Sequence, residues 1–132
     1  MIIDSSALLA LVLREPEAPI FAGAMADATR LRIGSANWLE AAMVVDRRGD
    51  PVAAGLFDDF IRQFSIEISA LTPAHVARGR QAWRDFGKGS GHPANLNFGD
   101  CLAYGFARVE GEPLLFKGSD FSETDIQPAL KR

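Results

Sequence analysis

Met1-Ile2-Ile3-Asp4-Ser5-Ser6-Ala7-Leu8 opens the chain with two β-branched residues, an acid, and then an apolar run that continues to Leu13. Ile2-Ile3 reads as a short buried strand, Asp4 as its carboxyl end, and Ser6–Leu13 as the helix that follows. The alternation recurs downstream. Glu15-Pro16 interrupts the first helix, a second runs over about Pro16–Ala28, and Leu31–Gly34 is a short strand. Asn37-Trp38-Leu39-Glu40 has the form of a capping box opening a helix through Arg48, closed by Gly49. Asp50-Pro51 caps and starts a further helix to about Gln63. Phe64–Leu71 alternates at Phe64, Ile66 and Ile68, as a strand with one buried face would. Thr72-Pro73 starts a helix to Phe86 with Val76, Gly79 and Trp83 along one side. Asn97–Val109 is apolar nearly all round and is expected at the centre. Leu114–Phe116 is a last clear strand, and Asp125-Ile126 is read as the start of a short terminal one. Strands alternating with helices imply one α/β domain with a mostly parallel sheet, whose ligands gather beyond the carboxyl ends of the strands.

The 132 residues suffice for one domain and its core, and 48% apolar residues is globular composition. The lone Cys101 excludes an internal disulfide, and two histidines give no zinc-type spacing. The longest uninterrupted apolar run, Ala7–Leu13, is far short of a membrane span, and no signal-peptide pattern precedes it. A cytoplasmic home is expected. The formal charge is −3. Against it, Arg78, Arg80, Arg84 and Lys88 stand beside a single acid, Asp85, in the stretch up to His92. That stripe suits either a phosphate-bearing partner or a solvated helix face. Gly87–Pro93, with three glycines, reads as a mobile loop.

Four acids fall where the sheet rule directs attention. Asp4 ends the first strand, Asp100 opens the apolar helix, Asp120 follows the last strand, and Glu40 lies at a helix start that can turn inward. Each also has a local reading: Asp4 as an N-cap, Glu40 as part of a capping box, Asp100 as the acid of a first helical turn, Asp120 as a loop residue. Their shared edge favours a site in which a divalent cation offsets mutual repulsion, and an oxygen-only donor set suits Mg²⁺. Neither a nucleophile elbow nor a phosphate-binding P-loop is present.

These strings resemble the PIN-domain family, and within it the VapC-type toxins of VapBC toxin–antitoxin pairs. Ile2-Ile3-Asp4-Ser5-Ser6-Ala7-Leu8 is similar to the family's opening, and Glu40 within Ser35–Glu40 to its second acidic position. Asn97-Phe98-Gly99-Asp100-Cys101-Leu102-Ala103-Tyr104 is similar to its third motif, and Leu114-Leu115-Phe116-Lys117-Gly118-Ser119-Asp120-Phe121 to its last. The resemblance implies a PIN-like three-layer sandwich and an endoribonuclease dependent on Mg²⁺ or Mn²⁺. It also implies a homodimer, or a larger toxin–antitoxin assembly, inhibited by a VapB-like antitoxin. By the same likeness Asp4, Glu40, Asp100 and Asp120 are the catalytic and metal-holding acids, Ser6 braces the site, and Asp125 is a further supporting acid.

In this light water attacks an RNA phosphodiester in line, leaving a 5′-phosphate and a 3′-hydroxyl. Arg78, Arg80, Arg84, Lys88 and Lys117 are candidate contacts to RNA phosphates, with Arg80, Arg84 and Lys88 on one face if the helix extends that far. Asn97 holds Asp100, contacts substrate or simply caps its helix. Trp38 and Trp83 are read as core or interface packing before base stacking, and Cys101 as a small buried hydrophobe. Two other classes come into question. A phosphoacceptor receiver domain needs a paired acid after the first strand, which is absent here. A non-catalytic PIN-fold module binding RNA or protein remains the alternative, against which the presence of all four acids speaks.

Overall fold

The computed structural model describes residues 1–131. Its elements in chain order are β1 (Ile2–Ile3), α1 (Ser5–Val12), α2 (Ala18–Asp27), β2 (Arg32–Gly34) and α3 (Ser35–Arg47). There follow α4 (Pro51–Gln63), β3 (Glu67–Ser69), α5 (Pro73–Phe86), α6 (Phe98–Glu110), β4 (Leu114–Leu115) and a 3₁₀ turn, Phe121–Glu123. The four strands form one sheet in the order β3-β2-β1-β4, every neighbouring pair parallel.

Strand pleating divides the core in two, because successive side chains point to opposite faces. Ile3 and Leu115 pack with α1, α2, α3 and α4 on one face, whereas Ile2 and Leu114 pack with α6 and Ala82 of α5 on the other. The result is the expected α/β three-layer sandwich with a mostly parallel central sheet. The chain proceeds outward from β1 through β2 to β3 and returns to place β4 on the opposite side of β1. Strand order thus reverses between β1 and β4, which makes a crevice at their carboxyl ends. Two hydrogen bonds define its base: Asp4 N–H donates to Leu115 O (2.9 Å), and Lys117 N–H donates to Ser6 Oγ (3.0 Å). Among the described residues no helix is long and apolar enough to cross a membrane.

Several local expectations are corrected. The helix bearing Glu40 starts at Ser35, not after Asn37, with Gly34 as a cap that offers no side chain. Asn37 is buried in its first turn, and its amide is committed to a tertiary bond. Only Glu67–Ser69 of the Phe64–Leu71 stretch is strand. Ser65 adopts a left-handed φ of 51° that breaks the alternation before it starts, and β3 is an edge strand, so Ile66 is buried but Ile68 is 43% exposed. Asp125-Ile126 does not begin a strand; the 3₁₀ turn precedes it, and a single bridge joins Leu114 to Pro128. Helix α5 stops at Phe86, so Lys88 is beyond the helical face of Arg80 and Arg84. Trp38 does join the core, against Phe57. Val76 and Trp83 do not; both are about half exposed.

Candidate active site

Asp4 caps α1: its Oδ2 accepts hydrogen bonds from Ser6 N–H (3.1 Å) and Ser6 Oγ (2.5 Å). The carboxylate is buried at 3% exposure, and its second oxygen, Oδ1, has no hydrogen-bond partner. An ionised oxygen out of water and unpartnered is costly. Burial accordingly raises the Asp4 pKa to about 7; the bonds from Ser6 oppose that shift, and the charges of Asp100 and Glu40 add to it.

Glu40 approaches from α3. Its Oε1 accepts a hydrogen bond from Ser5 Oγ at 2.6 Å. Its carboxylate rests against the first turn of α6 at Gly99, where any Cβ would overlap the Glu40 oxygens. Asn37, one turn earlier on α3, donates from Nδ2 to Gly99 O at 3.0 Å and ties the two helices together. Asp100 is the acid of a reciprocal capping box: Asn97 Oδ1 accepts from Asp100 N–H (2.9 Å), and Asp100 Oδ2 accepts from Asn97 N–H (3.0 Å). Burial raises the Asp100 pKa against that backbone bond, and the charges of Asp120 and Glu40 push the same way.

Asp4, Glu40 and Asp100 are thus close enough to act on one another's charge, and Asp120, an exposed residue at the head of the 3₁₀ turn, acts on Asp100. They are not gathered around a common point. Among the described residues no group of three His, Cys, Asp or Glu is tight enough to enclose a metal ion. Each of the first three carboxylates is instead drawn to its own local donor, as three uncompensated like charges would be. The unpartnered Asp4 Oδ1 and the oxygen-only donor set fit a hard divalent cation.

The other residues singled out in the sequence are elsewhere engaged or apart. Asp125 accepts a hydrogen bond from Tyr104 Oη (2.5 Å), and Arg78 both donates to Tyr104 Oη (3.2 Å) and lies over its ring. Burial, then the bond to Asp125, raises the Tyr104 pKa to about 12. Lys117 pairs with Glu15 and Glu17 of the turn before α2. Arg80, Arg84 and Lys88 are exposed and, among the described residues, form no salt bridge. The Cys101 thiol is pushed up to about 11 by burial and then by Asp100, which makes it a poor nucleophile. Ser5 and Asn37 hold the acids without having been marked as site residues, Asn37 having the form of a helix cap instead. The doubled serine after Asp4, and an Asn three residues before Glu40, were the available signals.

A PIN-domain family model matches residues 1–127. Ribonuclease VapC28 of Mycobacterium tuberculosis is 43% identical over 132 residues, covering 100% of this chain and 99% of that protein. Ribonuclease VapC42 of the same species is 40% identical over 129 residues, 98% of each. Among solved structures, the Mycobacterium tuberculosis toxin VapC20, described as cleaving the sarcin–ricin loop, superposes with a TM-score of 0.71 at 17% identity, over 95% of each chain. A toxin–antitoxin complex from Klebsiella pneumoniae gives 0.68 at 14% identity, over 92% of this chain and 89% of that one. With the parallel sheet and its switch point in place, the chain belongs to the PIN-domain family, in the branch of VapC-type ribonuclease toxins of VapBC toxin–antitoxin systems.

Proposed function

We propose that this chain is an endoribonuclease dependent on Mg²⁺ or Mn²⁺, with Asp4, Glu40 and Asp100 as its principal acids and Asp120 completing the set directly or through water. The observation that carries the reading is the buried, unpartnered Asp4 Oδ1 at the switch point, within reach of the charges of Glu40 and Asp100. A divalent cation bound there would acidify the attacking water and neutralise charge on the phosphodiester. The residues of the chain do the holding. Ser6 fixes one oxygen of Asp4, Ser5 fixes one oxygen of Glu40, and Asn97 orients Asp100. Arg80, Arg84 and Lys88 supply cations for the substrate's phosphates. Asp125, bonded to Tyr104, is left as a brace on α6 and not as a member of the acid set. Arg78 and Lys117 reach RNA only by giving up the partners they have. In the reaction water adds to phosphorus and the P–O3′ bond breaks, so the 3′-oxygen of the upstream fragment leaves with a proton and the phosphate stays on the 5′-oxygen of the downstream fragment.

The substrate is RNA, with a structured RNA favoured by the likeness to VapC20. The biological setting is a toxin held by a VapB-like antitoxin, and the complex from Klebsiella pneumoniae is the likeness that supports it. The exposed apolar residues Leu39 and Met43 on α3, beside Glu40, suit either that partner or a second copy in a homodimer.

Cleavage of RNA by D4N and D100N variants, with folding checked by circular dichroism, tests the assignment. Loss of cleavage in both is expected, and undiminished cleavage in both overturns it. A titration with Mn²⁺ in which the ion binds yet no RNA is cut favours a non-catalytic PIN-fold module. Co-purification of a small protein whose addition abolishes cleavage identifies the antitoxin.

A further inference from the structure

Beside the acids, α5 and α6 leave a groove of ≈ 400 Å³. Its floor is backbone, because the helices approach so closely that a Cβ on Gly79 would be 2.7 Å from Cys101 O. Its walls are Val76 and Trp83 from α5 and Phe98 and Leu102 from α6. Trp83 is 47% exposed and Phe98, the first residue of α6, is 79% exposed. Large aromatic faces left in water next to an acidic site call for an occupant. The Trp83 ring is also held in place: it rests on Gly87, where a Cβ would come within 2.5 Å of a ring carbon.

Charge selects the occupant. Arg80 and Lys88 both line the groove, neither forms a salt bridge among the described residues, and Lys88 lines it together with Asn97 and Phe98 at the start of the helix that bears Asp100. A second apolar groove, on the other side of Phe98 between α3 and α6, has Glu40 and Arg47 in place of two cations. An apolar slot with two exposed cations beside Asp100 matches planar bases carried on a sugar–phosphate chain. Two copies meeting through this slot would crowd four cations into one small contact.

We propose that the α5–α6 groove is a nucleobase subsite: an unpaired base of the RNA stacks on Trp83 and Phe98 while Arg80 and Lys88 hold the phosphates on either side of it. The inference rests on the ribonuclease reading above and extends it, since a base seated here sets which neighbouring phosphodiester faces Asp100. The faces of Trp83 and Phe98 take the face of any base by stacking, and Asn97 is the one uncharged polar side chain on the lining that can reach a base edge. Arg80 and Lys88 make the binding salt-dependent.

The test uses the full chain carrying D4N, so that RNA survives, and follows tryptophan emission during titration with a ten-nucleotide single-stranded RNA. RNA should quench the emission, and the quenching should vanish in Trp83→Leu but persist in Trp38→Phe. Affinity should fall about 5- to 100-fold in Trp83→Leu, and Trp83→Phe should restore part of it. An abasic strand of the same length should bind parent and Trp83→Leu alike. Unchanged RNA affinity and quenching in Trp83→Leu overturns the subsite. So does an effect of Trp83→Leu confined to self-association in sedimentation, or to affinity for an inhibitory protein partner, since the groove then belongs to a protein surface. Failure of the ribonuclease reading shows separately, as cleavage that survives D4N and D100N.

Discussion

Asp4 is the acid that the fold makes least comfortable. Its pKa is displaced from 3.8 to about 7, chiefly by burial, so across that window the folded chain binds a proton that the unfolded chain has released. Stability therefore falls as pH rises from 3.8 to 7, by on the order of 2–4 kcal/mol without metal. Asp4→Asn removes the charge and keeps the shape. In chelator it should melt higher than the parent at about pH 8, with an advantage that shrinks towards about pH 4 and narrows again when Mn²⁺ is added. Equal melting temperatures at both pH values would remove Asp4 as the strained acid. Gly99 offers a second test at this scale. A methyl there must displace the Glu40 carboxylate, the mobile end of a side chain, so Gly99→Ala should fold normally yet lose most RNA cleavage, compared by circular dichroism and activity on the same sample. The positions of Asp4 after a strand and of Asp100 in a first helical turn were legible in the sequence, whereas Glu40 lies in the second turn of α3 and not at its start. The two residues that hold the acids from other elements, Ser5 and Asn37, were not legible, because a bond across 35 or 62 positions leaves no local pattern.

At the scale of elements, α5 and α6 form the tightest pairing, and glycines make it possible. Gly105 of α6 faces the α5 backbone at His75 O and Gly79 N, and a Cβ there would overlap the former. Neither contact atom can move without its helix, so Gly105→Ala should cost about 2–3 kcal/mol in urea unfolding. Gly55, inside α4, has open space within 4 Å of where a Cβ would stand, and Gly55→Ala should stabilise by about 0.5–1 kcal/mol. Opposite signs are expected from the two substitutions; stabilisation by both would show that helix propensity outweighs packing at Gly105. Caps and prolines predicted α4 and α5 well, since Asp50-Pro51 and Thr72-Pro73 act through bonds within one turn. The start of α3 was misread for the same physical reason. Asn37 has the chemistry of a cap, and tertiary contact with Gly99 claims its amide instead.

The whole molecule separates stability from the candidate chemistry along the sheet. Opposite the acids, at the amino ends of the strands, Arg32 pairs with Glu110 (2.5 Å) and Glu112 and lies over the Phe106 ring, while His75 Nε2 is 3.3 Å from Glu110. Arg32 holds Glu110 below the usual carboxylate range; burial pushes Glu112 up, but the Met1 amine and Arg32 outweigh it. Both acids thus contribute stability above pH 4.5 that is lost as pH falls through their depressed values. Arg32→Met should cost about 2–4 kcal/mol in urea unfolding, while RNA cleavage by the folded fraction stays at the parent level. A parallel loss of cleavage would show that the two ends are coupled. The formal charge of −3 says little about partners once the exposed cations Arg80 and Lys88 are seen lining the groove beside the acids. The sequence by itself determined the strand–helix alternation, the strings that carry the candidate acids, and the family, because periodicity, caps and motif strings are local and survive without a partner. Only the tertiary structure decided that Trp83 and Phe98 stay in water beside the acids and that Arg78 and Lys117 are already engaged. It also decided that one oxygen of Asp4 is left without a partner. Those outcomes depend on which helix faces meet, and a helical apolar pattern records that a side can be buried without recording whether a neighbour arrives to bury it.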